Sequence, residues 1–501
     1  MKKIKETIKN NKFNILIFIG MLIFTGVICI NFIKPHLALD TYCVYSFNSQ
    51  DLISNFLCSN RIFSALARWV FEILNVPFYL GLEILTAVGI VSLTLSWFIL
   101  YKFVFNLQNK DKNKNIFNNV LIMAISFLVI FNFCTIEGIV FWESGIMCLG
   151  ILGTIIASCI FNEDKKYRLI KTFIILLLAS LCYQGAITIF IPLALVLLEY
   201  KKRDSIKEIF VETVKIGFIY VIVMFINLIG TKIFSNIFNN EVRKMTMLSL
   251  TDLLNSFLKL LSNMVVNTFG IGTRYWYILV ILVLTIIFLI YVIKYKTSKF
   301  YIIEYFTLWI ACIVIPVLPM LVTPIENQYI EARMAMSFGS SIGILLLFLI
   351  LVIGILEKKI YKYFIAIITA GMVILNCIYY ICASSELIAT NYLDRNIAKT
   401  IIEEINNYQV ETGIVIENIG VCKDKNIRTT YDGIHWLGVL TTRSMGTDWT
   451  VLETIELYSG KKYNKIEVPN NYKEKFLQKD WYFFNKEQLV FEGDNLFICI
   501  Y

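Results

Sequence analysis

The sequence predicts a polytopic α-helical membrane protein that carries a small soluble domain at its C-terminal end. Three observations predict it. The 501 residues are 57% hydrophobic and only 17% charged, with a mean hydropathy of +0.69, which is too apolar for a soluble protein. Apolar runs recur from residue 12 to about residue 382, and each approaches the ~20 residues that cross a ~30 Å hydrocarbon core. After residue 382 the character changes: 383–501 holds 13 Lys plus Arg against 17 Asp plus Glu, a net of −4 in a chain of +9, which puts +13 on the membrane part.

The elements follow in order. The first run, 14–33, is too long and too bulky at its C-terminal flank for a cleaved signal peptide, so it reads as a retained helix. The links 2–9, 102–114, 165–168, 201–207, 294–299 and 358–362 are basic, which predicts that they face the cytoplasm. The intervening links then face outward: 34–61, 135–144, a hinge at 183–186, 232–275, 324–335, and everything after 383. About eleven crossings result, with the N-terminus inside and the C-terminus outside.

Two stretches need a decision. The run 170–199 is long for one helix and short for two, and a single pass would carry Lys201, Lys202 and Arg203 outside, so the reading breaks it at Gln184-Gly185. The outward link 232–275 is itself basic (Lys232, Arg243, Lys244, Lys259 and Arg274 against Glu241 and Asp252), but the charge rule weakens in longer loops. Within it, Leu253, Leu254, Phe257, Leu258, Leu261 and Met264 recur at helical spacing. That pattern fits a helix lying in the membrane interface or one packed on the other helices. In the tail, 391–407 reads as an amphipathic helix and 413–417 as a strand. Residues 488–491 and 496–501 read as a β-hairpin around Glu492-Gly493-Asp494-Asn495. The expected domains are therefore 1–382 in the membrane and an extracytoplasmic α/β or α+β unit at 383–501.

Cysteine and histidine usage narrows the chemistry. Most of the 12 Cys lie singly in apolar spans, where packing is their default role, and no CxxC pair occurs. Cys43 with Cys58, and Cys422 with Cys499, are outward pairs for which a disulfide is open. Two histidines, His36 and His435, argue against a histidine-ligated metal, and no metal or cofactor is expected. No phosphate loop or GxSxG elbow is present, which removes the usual signatures of ATP-driven transport and of hydrolases. No nucleic-acid partner is expected.

What remains is a set of polar residues at the outward links. Asp40 follows the first span, and Asn60, Arg61 and Arg68 open the next helical stretch. Glu137 and Glu143 flank the following turn, Tyr183-Gln184 sit in the hinge, and Glu326, Asn327, Gln328, Glu331 and Arg333 occupy the Pro324 loop. Polar residues near helix ends are costly unless paired or used. Each has a plainer reading as well. Glu137 and Glu143 serve as solvated loop carboxylates, Arg61 and Arg68 snorkel to headgroups, Gln184 satisfies free carbonyls, and Arg333 pairs with Glu331 or Glu326.

Taken together, a carboxylate, arginines and an outer-leaflet position suit transfer of a sugar from a lipid phosphate. That reaction needs a base for the acceptor hydroxyl and cations for the phosphate. Asp40 is the expected base, with Glu143 and Glu137 as the other catalytic candidates. Arg61, Arg333 and Arg68 are the expected phosphate ligands, and Tyr183, Gln184 and Glu331 the substrate contacts. No nucleotide-binding fold is required, since the lipid phosphate is itself the leaving group.

At these residues the chain resembles the bacterial membrane glucosyltransferases of serotype conversion, within the GT-C superfamily. The resemblance rests on Asp40, Arg61, Cys182-Tyr183-Gln184-Gly185-Ala186, and Arg333 with Gly339, and it covers roughly residues 12–382. It implies a metal-independent, inverting transfer of a hexose from a polyprenyl-phosphate donor to a cell-surface glycan acceptor, in contact with membrane lipids. Two departures stand out. Thr41 follows Asp40 where that family often has a second acid, and Asn60 stands where a Gly commonly precedes the Arg. The first speaks against a paired-carboxylate or metal-assisted mechanism. A lipid-linked glycan flippase or a polysaccharide polymerase is the alternative, although a flippase would carry charges deep within its helices.

Overall fold

The computed structural model describes residues 2–108, 116–163, 165–202, 206–239, 250–268, 273–296, 298, 300–323, 325 and 328–501. The chain divides into two compact units. One comprises Met1–Ile33, Ile53–Ile139 and Glu143–Ile381; the other comprises Lys34–Leu52, Val140–Trp142 and Cys382–Tyr501. The second unit thus takes in two short segments, 34–52 and 140–142, beyond the soluble domain expected at 383–501.

The first unit is helical, and among the described residues five helices are long and apolar enough to cross a membrane: Phe78–Gln108, Ser144–Phe161, Ile206–Ile237, Tyr275–Tyr295 and Lys359–Thr412. Shorter apolar helices run over Lys12–Ile28, Ile116–Ile130, Ala186–Leu198, Phe300–Val314 and Met336–Leu351. Small residues let them approach one another. A Cβ on Gly145 would lie 2.5 Å from the Leu85 carbonyl oxygen, and one on Gly153 2.9 Å from the Ala179 Cβ. Lipid gives helices no hydrophobic reason to associate, so such close backbone contact is what holds a membrane bundle together.

The expected break near Gln184 is present. One helix runs Arg168–Cys182, Tyr183 is extended, and a 3₁₀ turn Ala186–Ile189 leads into Phe190–Lys202. The helix Leu250–Thr268 also forms, with Ser256, Leu260, Met264 and Thr268 buried at four-residue intervals and Leu253, Leu254 and Leu258 exposed. Arg203, Arg243, Lys244, Pro324, Glu326 and Asn327 lie outside the described residues.

Residues at the basic links also make contacts within the helical unit. Lys102 Nζ donates to Asn14 Oδ1 at 2.9 Å, the Lys358 ammonium lies 4.9 Å from the Tyr295 ring centroid, and that of Lys362 lies 4.5 Å from the Phe117 ring.

In the second unit a four-stranded sheet has the order β2-β1-β4-β3, with β1 Asn418–Lys423, β2 Asn464–Ile466, β3 Leu489–Glu492 and β4 Asn495–Ile500. β1 is parallel to both β2 and β4, while β3 and β4 form the antiparallel hairpin read from the sequence. Ala398, Ile401 and Ile405 lay one helix face on Ile419, Leu496, Ile498 and Ile500 of the sheet, and Val451 and Ile455 complete the core.

Two expectations need correction here. The helix at 391–407 is the last part of one uninterrupted helix, Lys359–Thr412. The strand placed at 413–417 begins at Asn418 instead, and Ile414 and Val415 stay exposed. Cys43, Cys58, Cys422 and Cys499, whose pairing the sequence leaves open, are free thiols.

Candidate functional site

In the first unit, residues from four separate links between helices form one cluster. Arg61 caps the start of the helix Ile62–Ile73, and its Nη1 donates to Glu143 Oε1 at 2.7 Å. Glu143, at the start of Ser144–Phe161, is nearly enclosed, with 8% of its side chain exposed. Across the site the Arg333 backbone N–H donates to Glu137 Oε2 at 2.9 Å, and its Nη1 lies 3.5 Å from the same oxygen. Glu137, from a separate link, is thus a carboxylate partner of Arg333, while Glu326 lies outside the described residues.

Tyr183 joins the two pairs. Its ring lies under the Arg61 guanidinium, 5.0 Å from centroid to Cζ, and Arg333 and Glu137 are its other charged neighbours. The hydroxyl is buried and has no hydrogen-bond partner among the described residues, and the same holds for Arg61 Nε, Ser64 Oγ and Ser144 Oγ. Buried polar atoms are almost always bonded, so several unmet donors beside two guanidinium groups form an anion-receptive patch. Burial pushes the Tyr183 hydroxyl up to about 12, although Arg333 and Arg61 pull it down. Burial likewise raises the Glu137 carboxyl, in the link between Ile116–Ile130 and Ser144–Phe161, to about 7 against the pull of Arg333.

Local backbone explains the arrangement. Asn60 has φ of 52°, a left-handed conformation that Gly and Asn adopt most readily, so the Asn preceding Arg61 meets the same steric demand as a Gly there. Gly185 permits the approach of the hinge to the loop: a Cβ on it would fall 2.5 Å from Tyr183 Cε1 and 2.7 Å from the Arg333 carbonyl oxygen. Gly339 has the same function one turn into Met336–Leu351, where a Cβ would collide with Asn132.

Gln184 braces this frame. Its Nε2 donates to the Ser59 carbonyl at 2.8 Å, while Asn60 Nδ2 donates to Asn227 Oδ1 at 2.8 Å and Asn227 Nδ2 to Ser180 Oγ at 2.7 Å. Asn227 did not emerge from the sequence reading. The signal available was a lone amide inside the apolar helix Ile206–Ile237, which is costly in a membrane unless bonded.

Arg68 stands two turns beyond Arg61, with Glu72 as its charged neighbour. Glu331 precedes the turn Ala332–Met334 and adds negative charge near Glu137. Asp40 is exposed in the first turn of the helix Leu39–Ser46, which belongs to the second unit.

No protein-family model, no curated protein and no solved structure matches the chain.

Proposed function

We propose that the protein is an integral-membrane glycosyltransferase of GT-C-like architecture, which moves a hexose from a polyprenyl-phosphate donor to a cell-surface glycan at the outer face of the membrane. The observation that carries this reading is the cluster itself: Arg61 and Arg333, each on a buried carboxylate, with the Tyr183 hydroxyl and Arg61 Nε between them, unpartnered among the described residues.

The donor phosphate takes the place of the carboxylates on the guanidinium groups, whose forked N–H groups match its oxygens. Glu137 then accepts the proton of the acceptor hydroxyl. The hydroxyl oxygen bonds to C1 of the hexose from the face opposite the phosphate, the C1–O bond breaks, and its electrons leave on the lipid phosphate. Arg61 and Arg333 stabilise that developing charge. A carboxyl near 7 is suited to a base at neutral pH, which assigns the role to Glu137 in preference to the exposed Asp40.

The same reading sets the topology at about eleven crossings, with the N-terminus cytoplasmic and the C-terminal unit outside. Two findings support it. The residues that converge at the site come from links whose charge predicts one side, and Lys358 of one basic link contacts Tyr295 of another.

The test is turnover by purified protein in detergent with a panel of polyprenyl-phosphate hexoses. Release of polyprenyl phosphate and a product of inverted anomeric configuration are expected. Glu137→Gln should lower the rate by ~10²–10⁴ and Asp40→Asn should not. If Asp40→Asn abolished transfer and Glu137→Gln did not, the base assignment would be reversed; an absence of turnover with every hexose would remove the transferase reading.

A further inference from the structure

On the second unit, the end of the helix Asn470–Leu477 and the strand β3 enclose a cavity of about 210 Å³ lined by Lys475, Lys479, Trp481, Glu487, Leu489 and Val490. At the ~30 Å³ that water occupies in the liquid, this holds roughly seven waters, the space of a single sugar ring. Tyr482 and Phe483 follow Trp481 and are 64% and 71% exposed, and Leu477 is exposed beside them. Trp481 itself is half-buried, with its ring centroid 6.1 Å from that of Phe476.

The loop that carries them is held firmly. The Trp481 N–H donates to Asp424 Oδ2 at 3.1 Å, and Arg428 Nη1 to the Trp481 carbonyl at 2.6 Å. Lys425 N–H donates to the Lys479 carbonyl at 3.0 Å, and Asn426 Nδ2 to Asp480 Oδ2 at 3.2 Å. The Arg428 guanidinium also covers the Tyr482 ring at 4.0 Å. Side chains fixed before binding lose little entropy when a ligand arrives. Lys475 and Lys479, four residues apart, have no carboxylate partner among the described residues, while Glu487 supplies an acceptor for hydroxyls.

We propose that this cavity binds one residue of an anionic glycan, a pyranose bearing a carboxylate or a phosphate. The Trp481 ring stacks on the C–H face of the sugar, Lys475 and Lys479 hold the acidic group, and Glu487 accepts from ring hydroxyls. A concave pocket with a carboxylate in its wall fits a single sugar better than a flat anionic lipid surface, which Glu487 would repel. The site goes beyond the transfer reaction, and its test contains no lipid-phosphate sugar.

The experiment is saturation-transfer NMR and titration of the full-length protein in detergent. The probes are a uronic-acid trisaccharide, its methyl ester and a glycerol-phosphate trimer, and binding to vesicles of phosphatidylglycerol is measured in parallel. The acidic sugar should bind, with at least a tenfold preference over its ester. Trp481→Ala should weaken it about tenfold or more, and Lys475→Gln with Lys479→Gln should remove the preference for the acid. The lysine pair is exposed, so its replacement reads the site even if Trp481→Ala unfolds the unit. Preference for the glycerol phosphate, which has no pyranose ring, would overturn the assignment of a sugar to the cavity. Wild-type binding by the lysine variant, no binding of any probe, or a loss confined to the vesicles would each overturn the proposal.

Discussion

Each guanidinium in the cluster neutralises a carboxylate that burial would otherwise make costly, which makes the pairs structural as well as functional. Arg61→Ala leaves Glu143 buried without its cation, and removing one partner of such a pair costs roughly 3–5 kcal/mol. The exchange Arg61→Glu with Glu143→Arg restores the pair but moves the cation. It should therefore recover most of the melting temperature lost by either single variant and none of the transfer activity; recovery of both would make the pair purely structural. Glu137 gives a pH prediction. Its carboxyl is raised from 4.5 to about 7, so the fold favours the protonated form. Its contribution to stability is complete below 4.5 and is lost as the pH rises through 7, while activity, which needs the ionised base, rises over the same window. Rate against pH should show an acid limb near 7 that Glu137→Gln removes. Of these residues, the sequence made Arg61, Glu137, Glu143, Tyr183 and Arg333 legible as polar groups at links of one side. It did not reveal who pairs with whom, because Glu137 and Arg333 are separated by 196 positions, and spacing along a chain carries no information about such a contact.

The hinge and the long helix behave differently as elements. Tyr183-Gln184-Gly185 works because Gly185 lets the chain pass beside Arg333, so Gly185→Ala should push the hinge from the loop. Donor turnover is expected to fall at least tenfold with helical content by circular dichroism unchanged; wild-type turnover would show that the contact yields freely. The hinge was readable because charge parity required a break there. The helix Lys359–Thr412 was not, because the composition turns polar after Cys382 while the backbone has no reason to stop. No Gly or Pro occurs between Gly371 and Gly413, and only at Gly413, with φ of 74°, does the helix end. The strand at 413–417 failed for a related reason. Ile414 and Val415 have strand propensity, but the ladder starts where Asn418 finds Asn464 and Asn495 on either side.

For the whole molecule, period and charge told the helical membrane class, and the hairpin turn told part of the sheet. The segments 34–52 and 140–142 joined the second unit unannounced, since short polar links carry little pattern. The proposed topology predicts that Lys461→Cys, in a background without the exposed Cys382, reacts with an impermeant thiol reagent added from outside, and that Lys165→Cys reacts only after permeabilisation. The reverse pattern would put the cluster on the cytoplasmic face. The central claim is that Arg61 and Arg333 hold a lipid phosphate, and the most direct measurement is native mass spectrometry of the purified protein titrated with polyprenyl monophosphate and, as a control, the neutral polyprenol. Hydrogen bonds to charged groups contribute about 1.5–3 kcal/mol each, so Arg61→Ala with Arg333→Ala should weaken phosphate binding by ~10²-fold or more and leave the weak polyprenol binding unchanged. Equal affinity of wild type and double variant for polyprenyl phosphate, or wild-type binding of the neutral polyprenol as tight as that of the phosphate, would contradict it.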